Sequence, residues 1–189
     1  MRKTEYKASF RDAKRILRSG GCGVVLTDTI YGIVGQALGK ETVARIYRIK
    51  GRDQKKPFLI LISSLKQLLL FGINLEKGER KILKEYWPGR VSVVLSCAHK
   101  EFHYLHRGGK SLAFRLPNNS ELLKLIRETG PLVAPSANPE GQNPARNLRE
   151  AREYFGDKID FYLPSRRKPL NKPSKIIEIT QNKVKVIRK

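Results

Sequence analysis

Cysteine is scarce in this sequence: Cys22 and Cys97 are the only two among 189 residues, too far apart to form a CxxC pair. That excludes a disulfide framework and a cysteine-rich zinc site, and it fits a reducing compartment. Long apolar runs are also missing. No stretch approaches the roughly 20 apolar residues of a membrane span, and the charged start Met1-Arg2-Lys3-Thr4-Glu5 leads straight into an amphipathic segment. A cytoplasmic protein with no membrane association is therefore expected. Acidic residues are few. Seventeen Asp and Glu face thirty-nine Lys and Arg, a formal charge of +22, which implies a polyanionic partner. With 40% hydrophobic residues the chain still has enough apolar material to fold.

What is present alternates between helical and extended patterns. Ser9 can cap a helix with Phe10, Ala13, Ile16 and Leu17 on one face, and Gly20-Gly21 stops it before the strand Val24-Val25-Leu26. A helix is predicted from Glu41 to about Ile49, then a strand, Phe58 to Ile62, apolar at every position and so buried on both faces. Helices follow at 64–70 and 78–86, strands at 91–96 and 111–115, and a helix capped by Asn119 or Ser120. A short strand at 132–134, a helix at 147–155 and a strand at 161–163 precede a closing hairpin, 175–179 with 184–187, turned at Thr180-Gln181-Asn182-Lys183. The expectation is a single α/β domain over residues 1–189, built on one mixed sheet flanked by helices. The basic stretch 164–175 is the best candidate for a mobile loop.

Several segments could carry chemistry. Thr27-Asp28-Thr29-Ile30-Tyr31-Gly32 places hydroxyls beyond a strand end, where α/β sheets bind ligands, although taken alone the segment reads first as a capped turn with satisfied hydroxyls. Lys50, Arg52, Lys55 and Lys56 surround Gly51 in a loop suited to a triphosphate, yet the P-loop spacing is absent and a solvated basic loop remains the alternative. Trp87-Pro88-Gly89-Arg90 reads first as packing plus a turn. Arg115, ending an apolar strand, needs a partner if buried: a ligand carboxylate, or a structural Asp or Glu. In the Pro- and Gly-rich run 131–144, Ser136 and Asn138 present fixed donors and acceptors. His99, His103 and His106 match no zinc pattern and read as exposed loop residues, so no protein metal site is assigned. No GxSxG elbow or Ser/His/Asp set supports covalent catalysis.

Taken in order, Thr27-x-Thr29-x-Tyr31-Gly32, Lys50-x-Arg52, Trp87-Pro88-Gly89, Phe114-Arg115-Leu116-Pro117, Ser136-Ala137-Asn138 with Gly141, and Pro173-Ser174-Lys175-Ile176 resemble the YrdC/TsaC family along nearly the whole chain. The resemblance implies a short form of an L-threonylcarbamoyladenylate synthase, which joins L-threonine, bicarbonate and ATP into threonylcarbamoyl-AMP and pyrophosphate. It implies a twisted sheet with a concave basic face, Mg²⁺ carried by the ATP phosphates, a downstream threonylcarbamoyl-transferase complex, and modification of tRNA beside the anticodon. Position by position, it assigns Lys50, Arg52, Ser136 and Asn138 to the nucleotide, with Lys50 and Arg52 catalytic. Lys56, Arg146 and Arg188 would also contact ATP, and Thr27, Thr29, Arg115 and Ser174 would surround the threonine. The sequence departs from the family at Arg90-Val91-Ser92, where a proline and a threonine are commoner, and at Leu61, a histidine in long forms. The competing reading is an RNA-binding module, for tRNA or double-stranded RNA, that uses the basic face without adenylate synthesis. A hydrogenase-maturation accessory domain is disfavoured by the lack of acylphosphatase-like or zinc-finger segments.

Overall fold

The computed structural model describes residues 4–170, 172–181 and 183–189. Met1-Arg2-Lys3, Asn171 of the basic loop and Asn182 of the closing turn, all used in the expectations above, lie outside the described residues. Helix α1 (Phe10–Arg18) starts at a reciprocal cap. The Ser9 hydroxyl accepts from the Asp12 N–H at 3.2 Å, and the Asp12 carboxylate accepts from the Ser9 N–H at 3.0 Å, satisfying two donors that a helix start leaves open. Strand β1 (Cys22–Leu26) follows, then β2 (Tyr31–Gln36), α2 (Lys40–Lys50), β3 (Leu59–Leu61), a 3₁₀ segment (Leu65–Phe71), α3 (Lys77–Tyr86) and β4 (Val91–Ser96). The rest of the chain forms α4 (His103–His106), β5 (Ser111–Arg115), α5 (Ser120–Thr129), β6 (Leu132–Val133), α6 (Leu148–Phe155), β7 (Phe161–Tyr162) and the hairpin β8 (Lys175–Thr180) and β9 (Lys183–Arg188).

The nine strands among the described residues join one mixed sheet in the order β7-β1-β2-β6-β3-β5-β4-β8-β9. The pairs β1/β7, β3/β5 and β4/β8 are parallel and the others antiparallel. Side chains alternate across the pleat, so each strand feeds two layers. On one face Ile60, Phe114, Val93, Ile177 and Val133 join the large core with Val43, Ile46, Leu83 and Phe155 of the helices. On the other, α1 and α5 cover β7, β1, β2, β6 and β3 through Leu17, Leu125, Ile126, Val34 and Leu61. That second core stops at β3. Beyond it the register aligns Leu59 with Ala113, Leu61 with Arg115 and Ser92 with Ile176, and this uncovered part of the sheet forms the wall of a cavity.

Three segments differ from the sequence reading. Residues 31–36, which overlap the end of the turn read at 27–32 and where no strand was expected, form β2. Their glycines serve close packing: a Cβ on Gly35 would meet Thr42 Cγ2 at 2.5 Å and Ile46 Cδ1 at 2.9 Å, and one on Gly32 would sit 3.1 Å from the Pro135 carbonyl. The helix expected at 64–70 is 3₁₀ and ends at Gly72 with φ +68°. The segment read as a loop of exposed histidines contains α4, and His106 is buried. Its Nδ1 accepts from the Gly108 N–H at 3.1 Å, while Nε2 lies 3.3 Å from the His99 carbonyl. Only His99 and His103 match the exposed reading.

Candidate active site

The cavity encloses about 280 Å³ and is built by four loops meeting over the uncovered sheet. After β1, Thr27 and Thr29 are buried and pre-arranged by their own bonds. Thr27 Oγ1 donates to the Ile30 carbonyl at 2.7 Å, accepts from the Thr29 N–H at 3.2 Å and lies 3.1 Å from Thr29 Oγ1. Fixed hydroxyls at a strand end make a ligand edge.

The second loop leaves α2 through Gly51, whose φ of +60° is accessible at no steric cost to glycine. The Arg52 N–H then bonds the Tyr47 carbonyl at 3.1 Å, and the chain reverses so that Arg52 lines the cavity. Its Nε donates to the Lys56 carbonyl at 3.1 Å, and its guanidinium lies 5.5 Å from the Phe58 ring centre. Lys50 points elsewhere. It is 3% exposed, and its ammonium donates to the carbonyls of Ser136, at 2.6 Å, and Asn138. Burial first, and then the neighbouring Arg52 charge, lower its pKa to about 7, against the opposite pull of Glu140.

The third loop, 134–142, is clamped from both sides. The Ile33 N–H bonds the Pro135 carbonyl and the Ala137 N–H bonds the Tyr31 carbonyl, each at 2.9 Å, while the Glu140 N–H bonds the Lys50 carbonyl at 2.9 Å. Ser136 faces the cavity. Asn138 Nδ2 donates to the Pro139 and Gln142 carbonyls at 2.8 Å, and its buried Oδ1 has no protein partner. The fourth loop brings Ser174, whose hydroxyl lies 2.8 Å from that of buried Ser92. Arg188 Nη2 donates to the Ser174 carbonyl at 2.8 Å, and the Leu170 N–H ties the basic 164–175 stretch to the Thr29 carbonyl at 2.8 Å.

Arg115 supplies a guanidinium on the cavity floor. The sequence reading left its counter-charge open between a ligand and a structural acid; Asp28 Oδ1 stands 3.0 Å from Nη2, with both side chains almost wholly buried. The approach lacks hydrogen-bond geometry, since both Asp28 oxygens and Arg115 Nε remain unbonded. Burial lowers the pKa of Arg115, Asp28 raises it and nearby Arg188 lowers it further.

Of the candidate residues, Thr27, Thr29, Arg52, Arg115, Ser136, Ser174 and Arg188 thus share one cavity, together with Ser92. Lys50, Lys56, Asn138 and Arg146 lie outside its lining. Lys56 is paired with Glu140. Arg146 pairs with Glu150 at 3.0 Å and borders a neighbouring hollow of about 830 Å³ that meets the cavity at Ile30, Pro144 and Pro173. Sequence reasoning missed Asp28 and Ser92. Nothing in the spacing linked the first to Arg115, which it meets only across the folded sheet; the second lies in Arg90-Val91-Ser92, where the sequence departs from the family. Among the described residues no group of three or more His, Cys, Asp or Glu is arranged to hold a metal, and no helix is long and apolar enough to cross a membrane.

A recess lined by hydroxyls and guanidinium groups, set against a mixed sheet of an α/β protein, offers the chemistry that suits a small anionic ligand. The Sua5/YciO/YrdC family model, described as "Telomere recombination", matches residues 15–189. The chain belongs to that family. It is 30% identical over 174 residues to a threonylcarbamoyl-AMP synthase of Coxiella burnetii, covering 91% of this chain and 93% of that one. It resembles the structure of Pyrococcus abyssi Sua5 complexed with L-threonine, with a TM-score of 0.86 and 26% identity over 98% of this chain. It spans 56% of that longer protein. Escherichia coli YciO shares the fold, with a TM-score of 0.83, 22% identity and coverage of 100% of this chain and 96% of that one.

Proposed function

We propose that the protein is an L-threonylcarbamoyladenylate synthase, a single-domain nucleotidyltransferase that makes threonylcarbamoyl-AMP and pyrophosphate from L-threonine, bicarbonate and ATP. The observation that carries this reading is the meeting of two kinds of group in one cavity: Arg115, Thr29 and Ser174 suit an amino acid's carboxylate and hydroxyl, and Arg52 and Ser136 suit a nucleotide. Relatives of nearly the same length that are named threonylcarbamoyl-AMP synthases support it.

Threonine's amine and bicarbonate condense to a carbamate with loss of water. A carbamate oxygen then attacks the α-phosphorus and pyrophosphate leaves, so negative charge builds on phosphate oxygens. Arg52 is placed to stabilise that charge, and removal of one such contact typically costs about 3 to 4 kcal/mol. Lys50 contributes from beneath, holding the Ser136 and Asn138 loop in place. Asn138, whose buried Oδ1 is unbonded in the protein, lies behind the cavity lining and is assigned to the nucleotide by way of the loop it shares with Ser136. Lys56, Arg146 and Arg188 are assigned to outer ATP contacts, and Thr27 to threonine by way of Thr29. Mg²⁺ would arrive on the ATP phosphates and supply charge neutralisation there.

The +22 charge supports a tRNA contact in the cytoplasm, beside a threonylcarbamoyl-transferase complex that takes the labile adenylate. The reading as an RNA-binding module without synthesis is not favoured, because named synthases match most of the chain. The test is pyrophosphate release with each amino acid in turn. Threonine should drive it best and serine next, since a site that hydrogen-bonds a hydroxyl rejects analogues lacking one. Equal rates with alanine or glycine would remove threonine from the proposal.

A further inference from the structure

Asp28 belongs to the same turn as Thr27 and Thr29, yet it is absent from the cavity wall. Its side chain is 1% exposed, and neither carboxylate oxygen accepts a hydrogen bond. That is a costly way to bury a carboxylate. An aspartate in a turn commonly uses its carboxylate on the backbone N–H two residues on. Here that kind of bond is made one residue earlier, Thr27 Oγ1 accepting from the Thr29 N–H, while the Asp28 carboxylate makes none and is directed at Arg115 Nη2, 3.0 Å away.

The contact is a charge pair and not a forked bridge: it neutralises the guanidinium without engaging Nε, which is likewise unbonded. Arg115 lines the cavity from the floor, and its other charged neighbour is the like-charged Arg188. An arginine meant to receive a carboxylate must stay charged, fixed and uncommitted in its donors. We infer that Asp28 is a positioning residue, anchoring the Arg115 guanidinium from behind and presenting it to the carboxylate of the amino acid substrate. The inference rests on the synthase reading for the identity of that amino acid.

The test compares wild type, Asp28→Asn and Asp28→Glu by threonine-dependent pyrophosphate release. Independently of turnover, it follows the Arg115 Nε–H by NMR, with the signal assigned through Arg115→Lys. Asp28→Asn should raise the KM for threonine about tenfold and leave the KM for ATP within about twofold, with Asp28→Glu intermediate. Its effect should largely vanish in an Arg115→Lys background, because residues that act through one another are not additive. In the NMR experiment Asp28→Asn should speed exchange of the Arg115 Nε–H about tenfold.

An unchanged threonine KM, an equal rise for both substrates, or full additivity with Arg115→Lys would overturn the inference. If wild type releases no pyrophosphate, the synthase reading fails by itself and the NMR measurement decides: an unaltered Arg115 signal in Asp28→Asn overturns the positioning role, and accelerated exchange supports it. Should Asp28→Asn not fold, Asp28→Glu, which keeps the charge but displaces it by a methylene, answers the same question. A threonine KM raised alone supports the inference, and an unmoved one overturns it.

Discussion

Replacing Lys50 with methionine should change the pH dependence of folding more than its magnitude at any one pH. The ammonium is 3% exposed and is held between the carbonyls of Ser136 and Asn138. Its pKa falls from the ordinary 10.5 to about 7, through burial and then the Arg52 charge. In the unfolded chain Lys50 keeps its proton up to its ordinary pKa, while the folded protein releases it near pH 7. Between those values the unfolded state binds more protons, so stability rises with pH by up to about 1.4 kcal/mol per pH unit. Below pH 7 the burial penalty is constant. The two carbonyl acceptors also favour the charged form, so this slope is an upper bound. The Lys50→Met variant has no such proton to lose. From pH 7.5 to pH 9 the stability of wild type relative to Lys50→Met should therefore increase by about 2 kcal/mol. Urea denaturation of both proteins at the two pH values measures it. Parallel profiles would show that Lys50 stays charged throughout and would refute the reasoning.

Arg52→Ala should lower turnover by about 10² to 10³ with an unchanged melting temperature, because the side chain is half-buried and its bonds are to the nearby carbonyls of Lys56 and Pro57; steady-state pyrophosphate release and thermal melting together check this. Asp160→Ala should do the reverse. Asp160 is buried, accepts from the Cys22 N–H at 2.8 Å and pairs with Arg45, and Arg45 is a third exposed, so the loss should be about 2 to 3 kcal/mol, below that of a fully buried pair. Chemical denaturation reads that loss, and the KM for threonine should not move.

The alternation of helix and strand was legible because apolar spacing and caps agree locally: Ser9 and Asn119 sit at the ends they were expected to cap. Strand β2 was hidden because Gly32 and Gly35 carry the same letters whether they bend a chain or let a helix and a loop come close. Most of the cavity residues were also legible, as an ordered series of short motifs. The direction of a long side chain was not. Lys50 stands two residues from Arg52, yet the αL turn at Gly51 sends one to the cavity and the other under the 136–138 loop. The partner of Arg115 was equally out of reach, since Asp28 and Arg115 meet only once β5 is placed across the sheet from the β1–β2 turn.

The central claim is that this cavity joins a carbamoylated threonine to an adenylate. The most direct measurement incubates the purified protein with labelled bicarbonate, ATP and threonine, and asks whether the label enters an adenylate. The account predicts a labelled adenylate that depends on threonine and is lost in Arg52→Ala. Label that enters without threonine, or no labelled adenylate from a folded protein saturated with all three substrates, would contradict it.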